Sequence, residues 1–178
     1  MLDPIPPEGW PEDLADLRQG FAGRLNVYGL MAHHPALLRG WAGFRAHVVV
    51  ETALTPQHSE VVILRCGHRL GSDYEWAHHV SRGRKVGLTD ARILSLRGPV
   101  EAMAEDDRIL CIAVDQLFDR RGLDPATQQA LAALTGVRGM LDLMATVAHY
   151  SLLGFLLNSF GAPLDADVAA ELAANPIG

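Results

Sequence analysis

Apolar residues recur three and four positions apart along most of the chain, the spacing that places side chains on one face of an α-helix. No segment shows the sustained alternation of apolar and polar residues that is typical of a half-buried strand. Residues 48–50 are three valines and favour a strand by composition, but they continue a helical pattern that begins near Ala36. The pattern therefore predicts an all-α fold.

Residues with known capping preferences mark the helix boundaries. Thr55 followed by Pro56 is an N-cap with proline in the first turn, and Gly71 is a typical helix end. The sequence from Ser72 to Glu75 is a capping box, which starts a new helix immediately. The predicted helices span about residues 35–52, 55–71, 72–87, 103–118, 137–160 and 165–173. Residues 88–90 and the cap at Asp124-Pro125 indicate two further helix starts.

The most apolar stretch, residues 140–157, approaches the length of a membrane-spanning helix. It contains Asp142 and His149, which would be costly to place inside a bilayer. We therefore expect a helix that packs on the core or on a partner subunit, and we expect no membrane association.

Length and charge limit the classes of function. The 178 residues are enough for one well-buried core. The formal net charge is -6 and the basic residues are scattered, so the chain lacks the positive surface of a nucleic-acid-binding protein. A small-molecule substrate or another protein is the expected partner.

The cysteines and the N-terminal residues indicate the compartment. Cys66 and Cys111 form neither a zinc-binding spacing nor a redox CxxC, which fits free thiols in a reducing environment. The first 12 residues contain four prolines and lack the basic and apolar regions of a secretory signal. The expected localisation is cytoplasmic.

Ionisable side chains are concentrated between residues 60 and 90, inside an otherwise apolar part of the chain. Glu60 lies in the first turns of a predicted helix, where the helix dipole alone favours a carboxylate. It also precedes the apolar run 61–64, so desolvation would instead raise its pKa and suit it to proton transfer. Both interpretations are open at this point.

Glu75 also has two interpretations. As the fourth residue of the Ser72 capping box, its side chain would bond a backbone N–H and have no other role. Alternatively, His79 lies four residues later on the same helical face, and such a pair is suited to proton transfer near neutral pH. His78 points about 100° away from His79 and is expected at the surface or an interface.

Arginines and possible metal ligands complete this region. Arg65, Arg69 and Arg82 flank the cluster, and an arginine of this group could bind a substrate carboxylate through two hydrogen bonds. Arg82 also lies in a last helical turn, where a cation usually does no more than complement the helix dipole. Only Glu75 and His79 have the spacing of metal ligands on a helix, and a third ligand would have to come from elsewhere. We expect no metal.

Three segments resemble the carboxymuconolactone decarboxylase family, which shares its fold with alkyl hydroperoxidase D-type proteins. They are residues 60–65 (EVVILR), residues 74–76 (YEW) with His79, and residues 87–90 (GLTD). The similarity covers about residues 30–125. It implies an alkyl hydroperoxidase D-like helical bundle that assembles as a trimer or hexamer, with sites near subunit contacts.

The hydroperoxidase branch of that family carries a CxxC motif, and the matching positions here are Ser72 and Glu75. A serine and a carboxylate cannot replace a low-pKa thiolate and its resolving cysteine. The decarboxylase branch needs neither cysteine nor cofactor, and its Tyr-Glu-Trp and His pattern is similar to residues 74–79. This resemblance implies a catalytic set of Glu60, Glu75 and His79 and a substrate-binding set of Arg65, Arg69, Ser72 and Tyr74.

The expected function is that of a cofactor-independent lyase or isomerase of small carboxylated or lactone compounds. Two alternatives are a peroxidase-related antioxidant protein of the same fold and a non-catalytic oligomeric binding protein. In the second, Ser72 and Glu75 would only cap a helix. We expect an N-terminal arm and first helix at residues 1–29, the family-like core at 30–125, and a helical extension at 126–178.

Overall fold

The computed structural model describes residues 2–177, and across that range the chain is helical, with no strand. The all-α prediction is confirmed. The helices are α1 Ala15–Gln19, α2 Asn26–Met31, α3 Pro35–Ala46, α4 Pro56–Leu70, α5 Asp73–Lys85, α6 Asp90–Ser95, α7 Glu105–Arg120, α8 Pro125–Phe160 and α9 Ala166–Ala174. A turn of π-helix, His47–Glu51, continues α3, and single 3-10 turns lie at Pro7–Gly9, Glu12–Leu14, Ala22–Arg24 and Val100–Ala102.

The hairpin of α4 and α5 begins and ends at the residues that the sequence indicated. The Thr55 hydroxyl accepts a hydrogen bond from the backbone N–H of His58 and so caps α4. Gly71 ends α4 with a left-handed φ of 63°, which glycine adopts without strain. Ser72 then caps α5 by accepting from the N–H of Glu75. The two helices are therefore antiparallel neighbours.

Helix α4 is the centre of the core and packs against α5, α7 and α8. Its residues from Val61 to Gly67 are all buried, and apart from Arg65 they are apolar or glycine. A Cβ atom added to Gly67 would lie 3.5 Å from the Cβ of Glu75, an ordinary contact distance, so α4 and α5 touch at this point. This contact places the first turns of α5 inside the protein.

Helix α8 contains a break at Gly136, whose φ of 72° and ψ of 169° are not helical. Two helical segments therefore meet at this glycine, in agreement with the predicted helix start near residue 137. By length and composition α8 could cross a membrane, but half of its most apolar window is buried within the protein. Asp142 in this segment accepts hydrogen bonds from the Ala53 N–H and lies 2.8 Å from Nε2 of His47.

The C-terminal segment is fixed to α5 and to the start of α2 through Asp165. This buried carboxylate accepts hydrogen bonds from the Asn26 N–H at 2.9 Å and from the Tyr74 hydroxyl. It also lies 2.9 Å from Nε2 of His78. One side chain thus connects three elements that are far apart in sequence, beside the cavity described next.

Candidate active site

A cavity of about 20 Å³ lies between α2, the π-helical turn, α5 and α8, which is room for roughly one water molecule. Its wall combines apolar, aromatic and ionisable side chains. They are Leu25, Val27, Tyr28, Arg45, Val49, Tyr74, Glu75, His78, His79, Arg82, Tyr150 and Leu153. Two residues of the predicted catalytic set, Glu75 and His79, therefore line one partly enclosed cavity.

His79 is held by Glu60, the third member of that set. Its Nδ1 lies 2.7 Å from Oε2 of Glu60, and the imidazole is only 1% exposed. Burial lowers the pKa of His79, although the Glu60 carboxylate opposes this effect. The imidazole is therefore favoured in its neutral form, with Nδ1–H donating to Glu60 and Nε2 free to accept a proton.

Glu75 lies on the other side of this imidazole, with Oε2 3.6 Å from Nε2 of His79. The distance is too long for a hydrogen bond, so Glu60 and not Glu75 orients the ring. Glu75 is 3% exposed, and this burial raises its pKa to about 8. Its carboxyl group consequently carries a proton at neutral pH.

The capping interpretation of Glu75 is wrong for its side chain. The backbone N–H of Ser72 donates to the carbonyl oxygen of Gly67 at 3.0 Å, not to the Glu75 carboxyl group. Oε1 of Glu75 has no hydrogen-bond partner among residues 2–177. Only half of the capping box is formed, and Ser72 itself does not line the cavity.

The two arginines of the predicted substrate-binding set lie away from the cavity. Arg65 forms a bidentate pair with Asp115 and donates to two backbone carbonyl oxygens. Arg69 pairs with Asp119 and also lies 3.1 Å from Asp115. These side chains connect α4 to α7, so their placement corrects the expectation that one of them binds substrate.

Arg82 is the arginine that lines the cavity. It lies seven residues after Glu75 and three after His79, so all three share one face of α5. Burial opposes its charge, but the pKa of Arg82 is raised by Tyr150, Glu60 and Glu75 nearby. Its guanidinium makes no hydrogen bond or ion pair with any other described residue.

The expectation that His78 lies at the surface or an interface is wrong. The ring is buried, lines the cavity and stacks on Tyr74 with ring centres 4.3 Å apart. Tyr74 lines the cavity as predicted, while its hydroxyl donates to Asp165 and accepts from the Val27 N–H. The rings of Tyr74 and His78 therefore form the part of the cavity wall that contacts Asp165 of the C-terminal segment.

Sequence reasoning missed the aromatic side chains that complete the cavity. Tyr150 meets the His79 ring edge-on at 5.0 Å, and Tyr28 lies in the same wall. Behind Tyr150, His149 stacks on Trp41 at 4.0 Å, and burial lowers the pKa of His149 to about 3. Tyrosines at these positions had no motif or spacing that related them to α5.

Neither thiol is placed for redox chemistry. Cys66 and Cys111 are fully buried, and burial raises the pKa of each to about 12. Within residues 2–177, no group of three or more His, Cys, Asp or Glu side chains is arranged to hold a metal ion. The ionisable groups of the cavity are suited to moving protons and binding charge.

Comparisons with known proteins agree with the fold. The sequence model of the carboxymuconolactone decarboxylase family matches residues 35–117. No curated protein matches the chain. A solved structure of the alkylhydroperoxidase AhpD core, an uncharacterized peroxidase-related protein from Ralstonia eutropha JMP134, aligns with a TM-score of 0.76 at 14% identity, over 94% of this chain and 95% of its own.

A second solved structure extends over almost all of both chains. A variant of the debrominase Bmp8, in complex with 2,3,4-tribromopyrrole, aligns with a TM-score of 0.72 at 12% identity, covering 98% of this chain and 96% of its own. At these identities the two structures establish a shared fold. The match over residues 35–117 makes the core of this chain similar to the carboxymuconolactone decarboxylase family, and the chain has the alkyl hydroperoxidase D-like fold.

Proposed function

We propose that this protein is a cofactor-independent lyase or isomerase of small carboxylated or lactone compounds, which transfers protons inside the α5 cavity. One observation carries the proposal. A buried carboxyl group, Glu75, holds a proton at neutral pH beside the free nitrogen of a neutral imidazole, His79. An acid and a base that face one cavity can together move a proton from one substrate atom to another.

The positions of these groups support separate roles for them. Glu60 fixes the imidazole of His79 by accepting the Nδ1–H, so that Nε2 is the basic nitrogen. Glu75 acts as the acid that delivers a proton, because burial keeps it protonated where an exposed glutamate would be ionised. In a decarboxylation, the Glu75 proton would neutralise the carbanion that carbon dioxide leaves behind.

This division differs from the one that the family resemblance implied, in which His79 was the acid and Glu75 oriented it. Glu60 takes the orienting role because it makes the short contact with the ring. His79 is a poor acid here, since burial favours its neutral form. The three residues of the expected catalytic set are retained with new assignments.

Carboxymuconolactone, the compound in the family name, is the first substrate to assay. Its consumption and the release of carbon dioxide would be measured for the wild-type protein and for Glu75→Gln and His79→Gln. Each variant should lose about 100-fold or more in rate, the usual contribution of a general acid or base. The wild-type rate should also fall as pH rises through about 8, because Glu75 then loses its proton.

Asp73→Asn is the matched control, since Asp73 is an exposed carboxylate two residues from Glu75 on the same helix. It should turn over like the wild type. If carboxymuconolactone is not consumed, the same variants are assayed with other small lactones and unsaturated acids. A substrate on which Glu75→Gln keeps the wild-type rate would disprove the proton-transfer mechanism.

A peroxidase-related activity is the alternative that the AhpD core structure suggests. It would require a reactive thiol, and both thiols of this chain are buried with raised pKa values. Mass spectrometry after treatment with hydrogen peroxide tests this directly. Stoichiometric oxidation of Cys66 or Cys111, reversed by a thiol reductant, would favour the peroxidase.

A further inference from the structure

The last turn of α5 carries three cations, and they are not equivalent. Arg84 forms a bidentate pair with Asp90, and Nζ of Lys85 lies 3.1 Å from Oε2 of Glu171. Arg82, between the site residues and this pair, makes no such contact with any other residue in the range 2–177. The two outer cations complement the helix end, whereas Arg82 lines the cavity.

No carboxylate neutralises Arg82 at short range. Glu60 is engaged by His79 at 2.7 Å, and Glu75, on the same face of α5, carries a proton at neutral pH. The other cation of the wall, Arg45, lies over the Phe21 ring, with its guanidinium carbon 3.9 Å from the ring centre. A partly enclosed guanidinium without an anion is a binding site for one.

The remainder of the wall is apolar or aromatic. Val49 and Leu153 contribute aliphatic surface, and Tyr28 and Tyr150 contribute rings. Such a wall favours a compact apolar body attached to the charged group. A single guanidinium binds one carboxylate through two parallel hydrogen bonds.

We propose that Arg82 is the specificity-determining residue of this cavity and binds one carboxylate of a small carboxylic acid whose apolar part contacts Val49 and Leu153. This inference rests on the proposed function, because it takes the cavity as the substrate site. It deepens that proposal by naming the substrate class. It also assigns to Arg82 the anion-binding role that the family resemblance implied for Arg65 or Arg69.

Direct binding tests the inference without requiring turnover. Isothermal titration would compare acetate with acetamide and benzoate with benzamide, two pairs of similar shape that differ in charge. The wild-type protein should bind at least one acid about tenfold more tightly than its amide, the difference that one charged hydrogen-bonded contact provides. Arg82→Gln should lose this preference, and Arg82→Lys should keep part of it.

Arg84→Gln is the matched control, since it removes a guanidinium from the same helix outside the cavity. It should keep the full preference for the acid, and circular dichroism would verify that each variant is folded. The inference is wrong if the wild type prefers neither acid, or if Arg82→Gln and Arg84→Gln behave alike.

The two proposals fail separately. Glu75→Gln keeps a neutral side chain in the cavity, so it should keep the acid preference even though it abolishes turnover. A preference for acids without any dependence of turnover on Glu75 would support the anion site and reject the proton-transfer mechanism. Turnover that depends on Glu75, together with equal binding of acids and amides, would support the proton-transfer mechanism and reject the anion site.

Discussion

Glu75 is a carboxyl group in a position where its charged form has little to stabilise it. It is buried against α4, and one of its oxygens has no hydrogen-bond partner among residues 2–177. Ionising such a group inside a protein costs free energy, and its pKa of about 8 expresses that cost. The protein therefore keeps an acid at neutral pH at the expense of some stability.

This cost predicts how stability depends on pH. The pKa of Glu75 is raised from 4.5 in the unfolded chain to about 8 in the folded one, so the folded state binds more protons between these values. The Glu75 contribution should consequently decrease by up to about 1.4 kcal/mol per pH unit across that window. Urea unfolding from pH 5 to pH 8 would measure it.

The variant Glu75→Gln should not show this decrease, because an amide does not titrate. Its free energy of unfolding relative to wild type should therefore rise steadily with pH. Asp73→Asn, at an exposed position, should follow the wild-type pH dependence. Parallel curves for Glu75→Gln and wild type would mean that Glu75 is ionised in the folded protein.

Spacing along the sequence predicted the site residues that share helix α5, and it could not predict the contacts between different helices. The i, i+4 relation brought Glu75 and His79 together because it is a property of the helix itself. The same rule extended to i+7 relates Arg82 to this pair, whereas the family resemblance implied Arg65 or Arg69 as the substrate-binding arginine. Tyr150 and the 2.7 Å contact of Glu60 with His79 depend on how separate helices pack, which no local pattern encodes.

The helices also differ in how well the sequence predicted them, and α5 is a well-predicted example. Its bounds followed from Ser72 and Gly87, and the longer helices were predicted within a few residues because caps and periodicity extend over several turns. The short helices α1 and α2 were not predicted individually, and of α6 only the start after Gly87 was indicated. Helices of five or six residues are stabilised mainly by tertiary contacts, so their sequences carry little independent signal.

Asp165 is one of the residues that attach the C-terminal helix α9, together with Glu171, which contacts Ser81 and Lys85. We expect Asp165→Ala to lower the free energy of unfolding by about 2 kcal/mol, because it leaves the half-buried Tyr74 hydroxyl and the buried His78 ring without their charged partner. Cleavage by a protease near residues 161–165 should also become faster. Thermal unfolding and limited proteolysis would measure the two effects.

Asp167→Ala is the matched control for this experiment. Asp167 lies two residues further along, in the first turn of α9, and is exposed. Its removal should change stability by a few tenths of a kcal/mol through the helix dipole alone. Equal effects of the two substitutions would show that the contacts of Asp165 do not hold the C-terminal segment.

For the whole molecule, assembly into a homo-oligomer stays a prediction. Val137 and Leu141 lie one turn apart on α8, and each exposes more than half of its surface. Exposed apolar residues on one face are common where subunits meet. We expect sedimentation to give a mass three or six times the 19.3 kDa of one chain.

Charge placed on this face should weaken the assembly. Leu141→Glu is expected to shift the protein toward monomer, whereas Gln129→Glu, which adds the same charge at another exposed position of α8, should leave the mass unchanged. A monomeric wild type at micromolar concentration would contradict the prediction. Equal masses for all three proteins would place the contact, if one exists, elsewhere.

The size of the α5 cavity has a consequence for the time course of ligand capture. A space that accommodates about one water molecule cannot admit an organic acid until part of its wall has moved. Opening then precedes entry, and association becomes slower than encounter by diffusion. In a stopped-flow experiment the observed rate constant of binding would level off at high ligand concentration. The plateau value would be the rate constant at which the cavity wall opens.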